Sequence, residues 1–286
     1  MLWEEIRSGE FRKAIENAAG VCAVPIGCME AHGNHLPVGT DAIEAAAIAK
    51  RAAEKESVCV FPTIYFGEKS GAGEFPGTII LSHALLFQLL GEICDEIGRN
   101  GFKKIIIVNG HGGNMYMLKN FVRGVLQKRK PYLVFSCDLS IPFPKTFLKY
   151  YARKGKKEFP NLTDADLEIL QNFVENKYED GHAGMAETAW IYDICPQWVE
   201  LSEIDGEKGR SMHQFDALSA AGIYSPFAWM ADYPNSYACN ADFTMTPTLA
   251  AAMTKYSVDA LAEKFRLLKT EKISEEYHAQ WIEKNQ

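Results

Sequence analysis

Several signals that would assign this chain to a membrane or to the secretory route are missing from its 286 residues. No apolar run reaches the roughly 18 residues that a membrane-spanning helix needs. The first residues, Met-Leu-Trp-Glu-Glu-Ile-Arg, are charged and lack the apolar core of a secretory signal peptide. The seven cysteines include no C-x-x-C pair, and Cys22, Cys59 and Cys94 fall inside apolar runs, as reduced buried thiols do. We therefore expect a cytoplasmic protein with no membrane partner.

The sequence also lacks the positive charge that a nucleic-acid-binding surface requires. Its formal net charge is −7 and its pI is about 5.6, which argues against a nucleic-acid partner. There are no internal repeats or low-complexity tracts, and the glycine-rich stretch 67–77 lacks the G-x-x-x-x-G-K-[ST] pattern of a phosphate-binding loop. With 47% hydrophobic residues the chain can bury a large core, and we predict a single domain over residues 1–286.

Strand and helix patterns alternate through the first half of the chain. The apolar, β-branched run 104–108 has the two-faced hydrophobicity of a central parallel strand. The predicted strands are 21–27, 58–65, 104–108 and 131–138, and the predicted helices are 3–18, 42–56, 82–99, 115–128, 163–178 and 246–268. This alternation predicts an α/β fold with a mostly parallel sheet and right-handed crossovers.

Two later regions interrupt the alternation. We interpret residues 139–180 as an excursion from the same domain, either a lid or an oligomer contact. Residues 196–245 carry few periodic signals and many turn formers, and such a long irregular stretch is more often a functional loop than filler.

The densest chemistry lies in the twelve residues from Glu30 to Asp41, which include His32 and His35. They follow the strand at 21–27 and precede a helix, so they occupy a loop beyond the carboxyl end of a strand, where open α/β sheets bind ligands. Carboxylate oxygens and imidazole nitrogens are the ligand set of Zn, Mn or Fe(II). His111, in the run N-G-H-G-G-N, stands at the same end of another strand. Together these residues predict a metal site.

Each of these residues also has an ordinary structural interpretation. Asp41, with Glu44 three residues on, resembles a capping box for the helix 42–56. Glu30 alone would be a solvated acid, and either histidine alone a hydrogen-bonded loop residue. The N-G-H-G-G-N run alone would be a strand-to-helix turn capped by Asn114. We favour the metal site because packing alone does not require this combination at the ends of two strands.

A further acid and a further histidine occur later, at His182 and Glu187. A spacing of five does not place two side chains on one helix face, so we predict that His182 precedes a helix that carries Glu187. The alternative is a capping histidine and an exposed acid. Cys28 lies beside the cluster, but thiol catalysis would need a histidine base placed for it, so we interpret it as a bystander. We assign no role to His35, nor to the histidines at 83, 213 and 278.

Four segments resemble the creatininase (creatinine amidohydrolase) family: P-I-G-C-M-E-A-H-G-N-H-L-P followed by T-D at 25–41, F-P-G-T at 75–78, N-G-H-G-G-N at 109–114, and G-H-A-G-M-A-E-T at 181–188. The resemblance implies a three-layer α/β/α sandwich and two divalent metal ions (Zn, Mn or Fe) per chain. It also implies hydrolysis of a non-peptide C–N bond, often in a cyclic amide or formamide, by a homo-oligomer that is commonly a hexamer.

Residue roles follow only from this resemblance. It implies that Glu30 binds the first metal, that His32 and His111 bind the second, and that Asp41 bridges both. Glu187 matches an acid that completes the shell of the first metal, and His182 matches a histidine that acts on the substrate.

The sequence departs from creatininase itself in three places. Gly113 stands where creatininase has a glutamate, no tryptophan occurs from 131 to 181 to hold creatinine, and no histidine precedes F-P-G-T. We therefore expect a dinuclear amidohydrolase that attacks a small amide through a metal-activated hydroxide, with Glu187 or His182 shuttling the proton, and that does not prefer creatinine. Residues 196–245, including Trp229, Tyr233 and Tyr237, would form the wall of its pocket.

Two other functions remain open at this point. A dinuclear metallo-phosphoesterase also uses paired metals, but it needs cationic anchors, and the loops 30–41 and 109–114 contain no Arg or Lys. A non-catalytic protein of the same fold could bind a metal, a ligand or a partner through the same residues.

Overall fold

The computed structural model describes residues 1–284, and the core of this part of the chain is a parallel four-stranded sheet in the order β2-β1-β3-β4. The strands are β1 (Val21–Ile26), β2 (Cys59–Val60), β3 (Lys104–Asn109) and β4 (Leu133–Asp138). β1 pairs with β3 along its whole length, from Val21 opposite Lys104 to Ile26 opposite Asn109. Both central strands are buried at every position, as their apolar runs predicted.

Helices follow the strands and then dominate the second half of the chain. They are α1 (Phe11–Asn17), α2 (Thr40–Lys55), α3 (His83–Arg99), α4 (Asn114–Gly124), α5 (Pro144–Lys154), α6 (Asp164–Glu175), α7 (Met185–Ile194), α8 (Asp216–Ala220), α9 (Ala228–Asp232), α10 (Pro247–Thr270) and α11 (Ile273–Lys284).

The sheet lies between two helical layers, which confirms the predicted α/β/α arrangement. On one face, α3 and α4 pack through Leu90, Ile97 and Leu118 onto alternate strand residues such as Val24. On the other face, α2, α7 and α10 pack onto the remaining strand residues, and the fully buried Trp190 of α7 belongs to this second layer.

Several element boundaries differ from the sequence-based predictions. The strand predicted at 58–65 pairs as β2 over two residues only, because Pro62 has no N–H to donate; beyond it, Ile64 makes a single bridge to Ile26. The helix predicted at 3–18 is reduced to α1, and two 3-10 turns precede it, one of them containing Gly9. α11 was not predicted at all.

The excursion at 139–180 folds into α5 and α6, which form a separate apolar cluster with α7 and α10. Residues 196–245 contain only short helices, as their sequence predicted. Among residues 1–284, no helix combines the length and apolar character needed to span a membrane. The single domain stays a prediction, and its last residues, 285–286, lie outside the described residues.

Candidate metal centre

Two loops meet at the carboxyl ends of the adjacent strands β1 and β3, and the first turn of α2 packs directly against both. Glycine is required for this approach. A Cβ atom on Gly27 would lie 2.2 Å from the backbone nitrogen of Ala42, and one on Gly110 would lie 2.4 Å from the carbonyl oxygen of Asp41. The close packing places the Asp41 side chain between the two loops.

The capping-box interpretation of Asp41 was wrong. α2 begins at Thr40, two residues before the predicted start, its N-cap is Gly39, and no side chain caps it. Asp41 is only 1% exposed and turns towards the histidines, while Glu44 is fully buried with neither carboxylate oxygen hydrogen-bonded. Asn114 is not an N-cap either, since it follows the N-cap Gly113 and joins the loops by hydrogen bonds to Gly27 and Glu68.

The two oxygens of Asp41 face two different sets of side chains. Oδ2 lies 2.9 Å from Nδ1 of His111, which is also 2.9 Å from Oε1 of Glu30. Oδ1 lies 3.0 Å from Nε2 of His32, which is 3.7 Å from Oε2 of Glu187. We call Glu30, Asp41 and His111 the first group, and His32, Asp41 and Glu187 the second group.

Three imidazoles are oriented in the same manner, each by a backbone carbonyl. Nδ1 of His32 donates to the carbonyl of Glu30 (3.0 Å), Nε2 of His111 donates to that of Glu68 (3.0 Å), and Nε2 of His182 donates to that of Ala31 (2.7 Å). The other nitrogen of each ring faces the carboxylates and, once it has lost any proton that it carries, offers a lone pair to a cation. Metal-binding histidines are held by second-shell partners in this way.

Several buried oxygens in the cluster have no hydrogen bond of acceptable geometry. These oxygens are Oε1 and Oε2 of Glu30 and Oδ2 of Asp41. The charged side chains of Lys69 and His111 nevertheless lie close to the oxygens of Glu30. Buried carboxylates that lack hydrogen bonds are costly unless a cation compensates them. Anionic oxygens and oriented imidazoles are also the donors that Zn and Mn bind. The residues present therefore fit one divalent cation in each group.

Burial and mutual charge shift the ionisation of these groups in the ion-free protein. Burial opposes protonation of His32, but the adjacent Asp41 carboxylate raises its pKa to about 9. Burial raises the pKa of Glu187 to about 8. Burial, reinforced by His32, lowers the pKa of His182 to about 4, so His182 is neutral at pH 7.

The model of one protein family, described as creatinine amidohydrolase, matches residues 4–265. The chain belongs to the creatininase family. The creatinine amidohydrolase of Pseudomonas putida is 36% identical over 225 residues, which cover 73% of this chain and 78% of that protein. A mycofactocin precursor peptide peptidase of Mycolicibacterium smegmatis is 38% identical over 190 residues, 63% of this chain and 60% of that protein. The structure "Creatininase Mn" superposes with a TM-score of 0.67 at 20% identity, covering 93% of this chain and 97% of that one.

The resemblance to creatininase implied a pairing of these residues that differs from the one the distances show. It placed His32 and His111 on one metal, with Glu187 completing the shell of Glu30. In the structure, His111 lies with Glu30, and His32 lies with Glu187. The bridging position of Asp41 is common to both arrangements.

Sequence reasoning missed the stretch Glu68–Ser70, which forms another wall of the centre. Lys69 is only 9% exposed, and its ammonium pairs with Oε2 of Glu30 and with the hydroxyl of Tyr237. The site therefore contains a cation after all, because a lysine reaches it from the glycine-rich loop. No motif spacing marked Lys69 in the sequence.

The aromatic wall expected from residues 196–245 is present beside His182. The ring centroids of Tyr237 and Trp229 lie 5.3 and 5.9 Å from that of His182, both edge-on, and Trp229 also packs on Tyr233 at 4.4 Å. His182 precedes α7 and Glu187 lies in its first turn, as predicted.

The histidines without an assigned role lie outside this arrangement. His35 is buried and bonds Thr188 of α7 at 3.0 Å, so it connects the 30–41 loop to α7. His83 pairs with Glu68, and the exposed His213 pairs with Asp216.

Proposed function

We propose that this protein is a metal-dependent amidohydrolase that binds two divalent cations, one in each group, with Asp41 shared between them. The observation that supports this most directly is the Asp41 carboxylate, whose two oxygens lie 3.0 and 2.9 Å from His32 and His111 of different groups. A carboxylate held between two sets of donors is the arrangement that two-metal hydrolases use.

When bound, such cations polarise an oxygen of the substrate and lower the pKa of water towards neutrality. The side chains of the protein then supply proton transfer and a fixed carboxylate. His182 is neutral, and its Nε2–H is used by the carbonyl of Ala31, so its Nδ1 is free to accept a proton and later deliver it to the departing nitrogen. Glu187 is held at 2.6 Å by the backbone N–H of Ala183, which fixes its carboxylate against His32.

Two observations support a small amide as the substrate. Two relatives carry names of amide-bond hydrolases, one acting on creatinine and one on a precursor peptide. The ring of Trp229, which is partly exposed and lies edge-on to His182, offers an aromatic surface for a flat, weakly polar group. We infer a cyclic amide, a formamide or a short peptide as the substrate class, with creatinine a poor member of it.

The two other functions have weaker support. A phosphoesterase would use Lys69 as its anion anchor, but the ammonium of Lys69 is already engaged by Glu30 and Tyr237. A protein that only binds metal would not need the neutral His182, which orients a free nitrogen towards the cluster.

An activity screen tests the proposal. The protein would be stripped with chelator, reconstituted separately with Zn, Mn and Fe(II), and assayed on cyclic amides, formamides, short peptides and phosphate esters. We expect C–N hydrolysis that chelation abolishes and that returns with metal. Turnover of phosphate esters alone, or metal uptake without turnover of any C–N substrate, would contradict the proposal.

A further inference from the structure

The thiol of Cys28 lies close enough to the first group to belong to it. We propose that Cys28 is the fourth protein ligand of the first group and makes that group select Zn or Fe(II) over Mn and Mg. This inference rests on the proposed function, in that it requires a cation in the first group. It assigns a residue that neither the motif pattern nor the family resemblance identified.

The geometry places four donors around one point. One ligand atom each from Cys28, Glu30, Asp41 and His111 lies within 4.8 Å of the others, and all four residues are buried. In the tetrahedral geometry of zinc, two ligands that lie 2.0–2.3 Å from the ion are about 3.3–3.8 Å apart. The side chains therefore need only small movements to share an ion.

The surroundings of Cys28 differ from those of the other buried cysteines. Cys22, Cys59 and Cys94 pack in the apolar cluster between the sheet and α3 and α4. Cys28 is fully buried as well, but its neighbours are ionisable, and the carboxylate oxygens of Glu30 beside it have no acceptable hydrogen bond. A thiol in that position contributes a donor where an apolar side chain would contribute none.

The charges balance when a cation is bound. The carboxylates of Glu30 and Asp41 with the thiolate of Cys28 carry three negative charges, and the ammonium of Lys69 on Glu30 compensates one of them. When the charge of Asp41 is counted entirely with this group, the net of two negative charges matches a divalent ion. The thiol proton leaves to the solvent as the ion binds, because a coordinated thiol is deprotonated.

The thiolate determines which metal the first group binds and which of the two groups performs the reaction. Soft sulfur ligands favour Zn and Fe over Mn and Mg, which prefer oxygen. Four protein ligands also close the first group, as in structural zinc sites, whereas the second group has three and keeps a position open for water or substrate. The open group contains His32, whose ring centroid is 4.0 Å from that of His182. We therefore place the reaction at the second group.

Cobalt(II) provides a direct test, because a thiolate ligand gives Co(II) an intense near-ultraviolet charge-transfer band that oxygen and nitrogen ligands do not. The apo-protein would be titrated with Co(II) as the wild type, as Cys28→Ser and as the control Cys94→Ser. Cys94→Ser removes a buried thiol from α3 without touching the centre. Bound cobalt would be counted by elemental analysis of the same samples.

We expect the band in the wild type and in Cys94→Ser, and its loss in Cys28→Ser, which should still bind cobalt in the second group. In Cys28→Ser the ratio of Zn to Mn affinity of the first group should fall by at least about tenfold. Tenfold is the lower limit of the loss in metal affinity that follows removal of a residue that supports a metal site. Bound cobalt without the band in the wild type, or a band that persists in Cys28→Ser, would overturn this inference and leave the proposed function standing. Failure of the wild type to bind any cobalt would overturn both.

Discussion

At the scale of single residues, the chemistry depends on how each side chain is held. His182 has one nitrogen fixed by the carbonyl of Ala31 and the other free, and its ring packs against His32 and Tyr237. It contacts the centre while lying outside both groups. Its contribution can therefore be separated from that of the metal ligands.

Replacing His182 by Ala should lower kcat by about 10²–10⁴-fold, the usual contribution of a general acid or base, and leave the metal content unchanged. The matched control is His213→Ala, which removes an exposed histidine that pairs with Asp216. Steady-state kinetics and elemental analysis of the same preparations would check this. Loss of metal in His182→Ala would mean that His182 is a ligand.

Most of the candidate site could be predicted from residue types, but the arrangement within it could not. Glu30, His32, Asp41, His111, His182 and Glu187 all lie in one cluster, as the motifs indicated. Which histidine lies beside which acid depends on the register of β1 against β3 and on the position of α7, and no spacing in the sequence encodes either. Lys69 was missed for the same reason, because its contact with Glu30 joins two separate loops.

At the scale of secondary-structure elements, the site depends on how closely α2 approaches the ends of β1 and β3. The sequence predicted both strands and the presence of the helix. It did not predict the start of α2. Asp is a preferred N-cap residue, which favoured a start after Asp41, but Gly27 and Gly110 leave room for α2 to pack closer to the strand ends. The packing of α2 against the two glycines therefore determined where the helix begins, and the N-cap preference of Asp41 did not.

Gly110→Ala should disturb this contact, since the added Cβ would lie 2.4 Å from the carbonyl oxygen of Asp41. We expect a loss of about 1–3 kcal/mol in the free energy of unfolding, the usual cost of overpacking, together with weaker metal binding. Gly112→Ala is the control, because its Cβ would meet nothing within 4 Å. Thermal unfolding and metal titration of both variants would check this. Equal losses of stability and of metal affinity in Gly110→Ala and Gly112→Ala would show that the close approach of α2 does not position Asp41.

The aromatic wall leads to a prediction about the substrate. Creatinine needs a flat pocket with cation–π contacts, and one face of Trp229 is already used by Tyr233. We expect creatinine to be turned over with kcat/KM below the ~10⁴ M⁻¹s⁻¹ at which ordinary enzymes begin. Steady-state kinetics with creatinine on the metal-loaded protein would decide. A kcat/KM above this value would mean that Trp229 replaces the missing tryptophans from a distant segment of the chain.

At the scale of the whole molecule, burying so many acids together couples metal binding to protonation and to folding. At pH 7 the ion-free protein holds protons on His32, with a pKa of about 9, and on Glu187, with a pKa of about 8. A cation entering the second group must displace both protons.

Metal affinity should therefore rise with pH between about 6 and 9, by up to about tenfold per pH unit for each proton released. The sign follows from the raised pKa values: below them protons compete with the cation, and above them they do not. Calorimetric titration with Zn or Mn across this range, in buffers of different ionisation enthalpy, would measure both the affinity and the protons released. An affinity that does not change with pH would contradict the assignment of His32 and Glu187 as ligands.

The shared position of Asp41 is tested most directly by counting metal in Asp41→Asn beside the wild type. Asn caps a helix as well as Asp does, so the change should be silent if Asp41 served only the start of α2. As the carboxylate between the two groups, it should be needed for both cations. Elemental analysis after reconstitution should give close to two divalent ions per chain in the wild type and no more than one in Asp41→Asn, with the fold retained. Full occupancy in the variant, or no metal in the wild type, would contradict the account.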